Sequence, residues 1–255
     1  MKLTFRSPGA GYSVESMMQF LEETQRAQAT EMFLAFYPDL DRTKLQQGTP
    51  EEQQEYFRKS MTAEYARCAS EIETKQREYQ SHWDAHESEI QTAFSEIFSL
   101  DLSERYNDMT ANITLNPICP RYLSAQLFDV FYRNSPFGAI GIALHEITHF
   151  LWFDVWAEIF SHEAALYETP YLPWIFSEMA VDPILKGDKR LYALDPYSQN
   201  EGSAYQCFYT MQVAGAPVLQ TLGEWYQTMP IREFMKKGFA FCQANEAEIR
   251  AQMNG

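Results

Sequence analysis

Between Phe137 and Phe153 the chain is apolar at almost every position, yet it carries His145, Glu146 and His149. Ser135-Pro136, an N-cap and first-turn pair, opens this run, which reads as a buried helix reaching to about residue 160. Residues four apart share one face of a helix, so both imidazoles can reach a single ion. Two histidines and a glutamate among Ile140, Leu144, Phe150 and Trp152 are costly to bury without a strong partner, and a metal ion is such a partner. Neutral imidazole suits a borderline metal such as zinc, here one Zn2+ per chain. Glu146 follows His145 by one residue and points about 100° round the helix, beside the ion rather than onto it. A carboxylate there can take a proton from a water activated by the metal, which is the mechanical content of the H-E-x-x-H pattern. The rival reading, two histidines hydrogen-bonded in an ordinary helical core, does not answer the cost of burying all three groups.

The 255 residues are enough for one large domain or two small ones, and 45% hydrophobic with 15% aromatic residues allows a sizeable core. The net charge of -15 repels phosphate backbones and anionic lipid, so neither nucleic acid nor a membrane surface is an expected partner. No signal-peptide core and no eighteen-residue apolar span is present. Cys68, Cys119, Cys207 and Cys242 form no C-x-x-C pair and read as free thiols in a reducing, cytoplasmic setting; two disulfides in a secreted form would fit the same count. The oligomeric state is not legible.

Residues 1–13 read as an irregular or strand-like lead-in, and 14–36 as helical, ended by Pro38-Asp39. Thr49-Pro50-Glu51-Glu52 is a helix start, followed to about residue 98 by a polar stretch that reads as one or two long helices with a break near Ser81. His82 and His86, with Glu89 a turn beyond, make a second i, i+4 pair, but the surrounding charges mark them as surface histidines. Asn112–Leu115 alternates and is β-branched, and Pro117 and Pro120 confine its pairing, so an edge strand is expected. Residues 122–133 fit strand or helix. Helices are expected at 174–186, 198–213, 217–228 and 230–251, and no internal repeat is evident. The fold class is mainly α with a small β-sheet, α+β. The expected division is a helical region over 1–104 and a metal-site region over 105–255, packed as one unit.

Two histidines do not complete a zinc site. A third histidine three residues after a glycine is excluded, since Trp152 and Val155 stand at those positions; His162 sits in a polar turn and reads as surface. Ser177-Glu178-Met-Ala-Val-Asp182 supplies two carboxylates on one helical face, one for the metal and one to orient a histidine through its far nitrogen. Its apolar neighbours Ile175, Phe176 and Val181 argue against a wet acidic pair. The rival is Glu201 in Asn200-Glu-Gly-Ser-Ala204, which resembles the glutamate-bearing stretch of some aminopeptidase-like enzymes but lies far from His149.

Together, H-E-x-x-H at 145–149 and E-x-x-x-D at 178–182 resemble the gluzincin, thermolysin-like zinc metallopeptidases, closest to their compact members. The resemblance covers roughly residues 105–190. It implies a zincin-like catalytic core with added N- and C-terminal helices, His145, His149 and Glu178 as zinc ligands, Glu146 as general base, Asp182 as a supporting partner, and an upstream edge strand that pairs with a peptide or protein substrate. It also implies an oxyanion-steadying residue, for which Tyr171 is the candidate and Tyr205 an outsider. The competing reading is a non-enzymatic helical interaction or regulatory protein with a structural or vestigial zinc site; a hydrolase of a non-peptide amide or ester would share the same residues.

Overall fold

The computed structural model describes residues 1–21, 26–160, 162–200 and 202–253. The chain is mainly helical, 69%, with a small mixed sheet, as the α+β expectation has it. Contacts divide it into two compact units, each discontinuous in sequence: Lys2–Ala85 with Tyr106–Ala139, and Met1, His86–Arg105 and Ile140–Gly255. One boundary, between Arg105 and Tyr106, falls beside the expected division at residue 104, but each unit draws residues from both sides of it. The hundred-odd residues separating paired strands bring the middle of the chain back to its start.

The first unit is built on β1 (Leu3–Arg6), followed by α1 (Ala10–Met18), α2 (Arg26–Phe36), α3 (Arg42–Gln46) and α4 (Pro50–Phe98) as far as Ala85. It then adds β2 (Met109–Thr114), β3 (Arg121–Tyr122) and β4 (Leu127–Phe131). The sheet order is β1-β2-β4-β3, with β1, β2 and β4 parallel and β3 antiparallel to β4. The lead-in is thus partly a strand: Leu3 and Phe5 point inward while Thr4 and Arg6 are exposed. This overturns the edge-strand expectation for 112–115. The strand β2 is paired on both sides, and Pro117 and Pro120 fall beyond its last residue, where they block no ladder hydrogen bond. The open side of β1 is met by a side chain, as Gln80 accepts from Phe5 N (2.8 Å) and donates to the Leu3 carbonyl (3.1 Å). Two of its exposed backbone groups are thereby satisfied in the way a further strand would satisfy them.

Helix α4 is one element of 49 residues with no break at Ser81. Its start is a reciprocal cap: the Glu52 amide donates to Thr49 Oγ1 (3.2 Å), and the Thr49 amide to Glu52 Oε2 (2.8 Å). Thr49→Ala is expected to lower stability by about 1 kcal/mol in a urea titration, and an unchanged midpoint would deny the cap its role. The buried positions recur every eleven residues, as Phe57, Cys68, Tyr79 and Ile90 and as Met61, Ile72, Trp83 and Phe94, all 6% exposed or less. Eleven residues make three turns of 3.67, so these side chains keep to one nearly straight stripe along about 56 Å of helix. This spacing was not evident in the sequence because Tyr56, Tyr65 and Ile97 interleave with it.

The second unit holds α5 (Pro136–Ile159) from Ile140 onward and α6 (Leu172–Gly187), then α7 (Lys189–Leu194), α8 (Pro196–Gln199) and α9 (Gln206–Thr210). It closes with a hairpin of β5 (Gln212–Val213) and β6 (Ala216–Pro217), then α10 (Val218–Tyr226), α11 (Ile231–Ala244) and α12 (Glu246–Met253). The Ser135 hydroxyl accepts from the Gly138 amide (3.0 Å) and starts α5 as the sequence predicts. The helix expected over 198–213 is instead two short helices and the first hairpin strand. Gly202 at φ 92°, then Ala214 and Gly215 at φ 51° and 81°, are incompatible with a continuous helix; the last two make a turn of the kind that joins hairpin strands. All four cysteines are free thiols. Among the described residues, no helix is long and apolar enough to cross a membrane.

Candidate metal centre

His145 and His149 lie one turn apart on α5, and their Nε2 atoms are 3.1 Å from each other. His149 is fully buried, while the His145 side chain keeps 19% of its surface, so the pair opens on the His145 side. A stack holds the inner ring: His149 lies parallel to Phe153 (centroids 6.3 Å apart), and Phe153 lies against Tyr167 (4.2 Å). Both rings of the pair are thus positioned by helical spacing and by aromatic packing on the side away from solvent.

Glu178 reaches the same point from α6. Its Oε1 is 3.4 Å from His149 Nε2 and its Oε2 is 3.5 Å from His145 Nε2, with the side chain 2% exposed. Ligand atoms at about 2.0–2.1 Å around a tetrahedral zinc are about 3.3–3.4 Å apart. The separations of 3.1, 3.4 and 3.5 Å fit that spacing. Two neutral imidazoles and one carboxylate form a donor set that suits zinc, and the desolvation of that carboxylate is what a cation offsets. The Glu146 carboxylate, on a residue 7% exposed, also belongs to the cluster, whose histidine and Glu146 ligand atoms all lie within 4.8 Å of one another. The structure therefore brings together His145, Glu146, His149 and Glu178, and Glu178 straddles both imidazoles.

Other expected participants lie elsewhere. Asp182 does not orient a histidine. Its Oδ1 accepts from the Tyr209 hydroxyl (2.6 Å) and the Ser203 amide (3.1 Å), and its Oδ2 pairs with Lys186 (2.9 Å). Being one helical turn past Glu178, it ties α6 to the 203–209 segment instead. Burial, reinforced by the Asp182 carboxylate, pushes the Tyr209 phenol up, so it remains a donor. Tyr171 is at the N-cap of α6 with 44% of its surface exposed, about 10 Å along the helix axis from Glu178. Glu201 lies outside the described residues. His162 is exposed, as expected, and near the Tyr167 hydroxyl (3.4 Å). His82 is half-buried, its ring edge-on to Phe137 (4.4 Å), and His86 is half-buried too. Among the described residues the candidate ion cluster is the one at 145–149.

One neighbour went unnoticed in the sequence. Gly141 sits one turn before His145, and a Cβ there would come within 2.6 Å of the Tyr197 ring and 2.9 Å of Asp195 Oδ1. Asp195 is fully buried, caps α8 and accepts from Ser203 Oγ (2.5 Å). The signal was available: glycine inside a long helix costs about 1 kcal/mol relative to alanine and marks a close approach.

Comparison of the chain with protein-family models, with curated proteins and with solved structures finds no match.

Proposed function

We propose that the chain is a zinc-dependent hydrolase, most directly a metallopeptidase of gluzincin type, with His145, His149 and Glu178 as ligands and Glu146 as general base. The observation that carries this reading is the convergence of two histidine nitrogens from α5 and the Glu178 carboxylate from α6, at separations of 3.1, 3.4 and 3.5 Å. Zinc held there supplies a Lewis acid that polarises a carbonyl and lowers the pKa of water. Glu146, with a carboxylate oxygen within 4.8 Å of both histidine ligand nitrogens, accepts the proton of the attacking water and returns it to the leaving amine. The exposed edge of His145 marks the side from which substrate approaches. Tyr171, 44% exposed at the start of α6, is the candidate for steadying the oxyanion. The free thiols support a reducing, cytoplasmic location.

A second reading has its own observation. Glu146 is close enough to both histidines to close the site as a fourth ligand, which would make the zinc structural. A fluorogenic peptide library incubated with zinc-loaded protein tests the first. Cleavage that chelator stops and zinc restores is expected; a fully loaded protein that cleaves nothing in the library contradicts it.

A further inference from the structure

A cleft of about 400 Å³ opens in the sheet unit between α1 and the β3–β4 connection. Its walls include Tyr12, Glu15, Ser16, Gln19, Tyr122 and Leu127, and none of its lining residues is basic. Directly behind the wall stands Asp129 on β4, fully buried. Tyr12 donates its hydroxyl proton to Asp129 Oδ1 (2.9 Å), and Ser16 donates to Asp129 Oδ2. Ser16 in turn accepts from Asn116 Nδ2 (2.9 Å).

These bonds decide what the cleft offers a ligand. With its proton directed at Asp129, the Tyr12 phenol can meet a ligand only as an acceptor. Both amide protons of Gln19 are engaged, on the Ser16 carbonyl (2.8 Å) and on Tyr122 Oη (2.7 Å), which leaves its carbonyl oxygen for a ligand. Glu15 adds a carboxylate at the rim, where Arg58 pairs with it. Two phenol rings and Leu127 supply a flat apolar wall. Acceptors and aromatic faces, with the buried Asp129 carboxylate behind them, make a surface for a positive charge on an apolar body.

We propose that this cleft binds a small organic ammonium ion, its charge facing Tyr12 with Asp129 behind and its apolar part between Tyr122 and Leu127. The proposal stands independently of the metal centre. Burial pushes the Asp129 carboxyl up to about 6 against the hydrogen bonds from Ser16, Tyr12 and Asn112. Burial likewise raises the Tyr12 and Tyr122 phenols, which stay neutral. The site's buried negative charge is therefore present at pH 8 and mostly absent at pH 5.

The test is calorimetric or NMR titration of the full chain with phenethylammonium and with neutral 2-phenylethanol, at pH 8 and pH 5. The ammonium is expected to bind at least tenfold more tightly than the alcohol at pH 8, with that preference largely lost at pH 5. Asp129→Asn should remove the preference, and Tyr122→Ala at the rim should weaken ammonium binding at least fivefold, while His149→Ala leaves it unchanged. Circular dichroism checks that the variants fold, and the rim variant carries the test should Asp129→Asn not fold. Equal affinity for the two probes, no binding of either, or a preference that survives both cleft variants would overturn the proposal.

Discussion

Glu146→Gln is expected to abolish peptide hydrolysis while leaving one zinc per chain in place. Gln is isosteric with Glu and the residue is almost fully buried, so packing around it is preserved. What is lost is the basic carboxylate, a change that slows proton transfer by about 10²- to 10⁴-fold. Single-turnover hydrolysis and metal content, measured on the same preparation, separate the two roles of this residue. Lost activity with retained zinc is the expected result. A protein that loses zinc with the substitution makes Glu146 a ligand and the site structural, and one that still hydrolyses peptides needs another base.

Trp152→Ala is expected to cost about 3–5 kcal/mol of stability, a large part of the 5–15 kcal/mol typical of a folded chain. The ring is 1% exposed and lies three residues past His149. It packs edge-on against Phe176 of α6 (5.1 Å) and Phe234 of α11 (6.1 Å) and stacks on Trp156 (6.4 Å). The same contact that stabilises the unit therefore holds α5, with two candidate ligands, against α6, with the third. A urea titration should show the loss, and zinc affinity should fall with it because the three donor side chains are no longer held together before the ion arrives. Stability within 1 kcal/mol of the parent would mean that this packing is not what joins the two helices.

What the sequence made legible was local. Thr49-Pro50 and Ser135-Pro136 begin helices because caps act within one turn, and His145 and His149 share a face because helical spacing requires it. The convergence of Glu178 with that pair was an inference from its apolar neighbours, and the structure brings it within 3.5 Å of both imidazoles. The misreadings were non-local. The strand β2 is interior because a partner more than a hundred residues upstream pairs with it, a relation no short pattern records. Asp182 shares a face with Glu178 but is engaged by Tyr209 and Ser203, whose approach depends on the turn at Gly202. The eleven-residue stripe of α4 emerges only when burial separates its core positions from the tyrosines beside them.

The central claim is that α5 and α6 build one zinc site. Metal content by mass spectrometry, on protein purified without chelator and then supplied with zinc, tests it most directly when set beside His149→Ala. One zinc per chain in the parent and none in the variant is the expected result; a parent that takes up no zinc, or a variant that keeps it, contradicts the account.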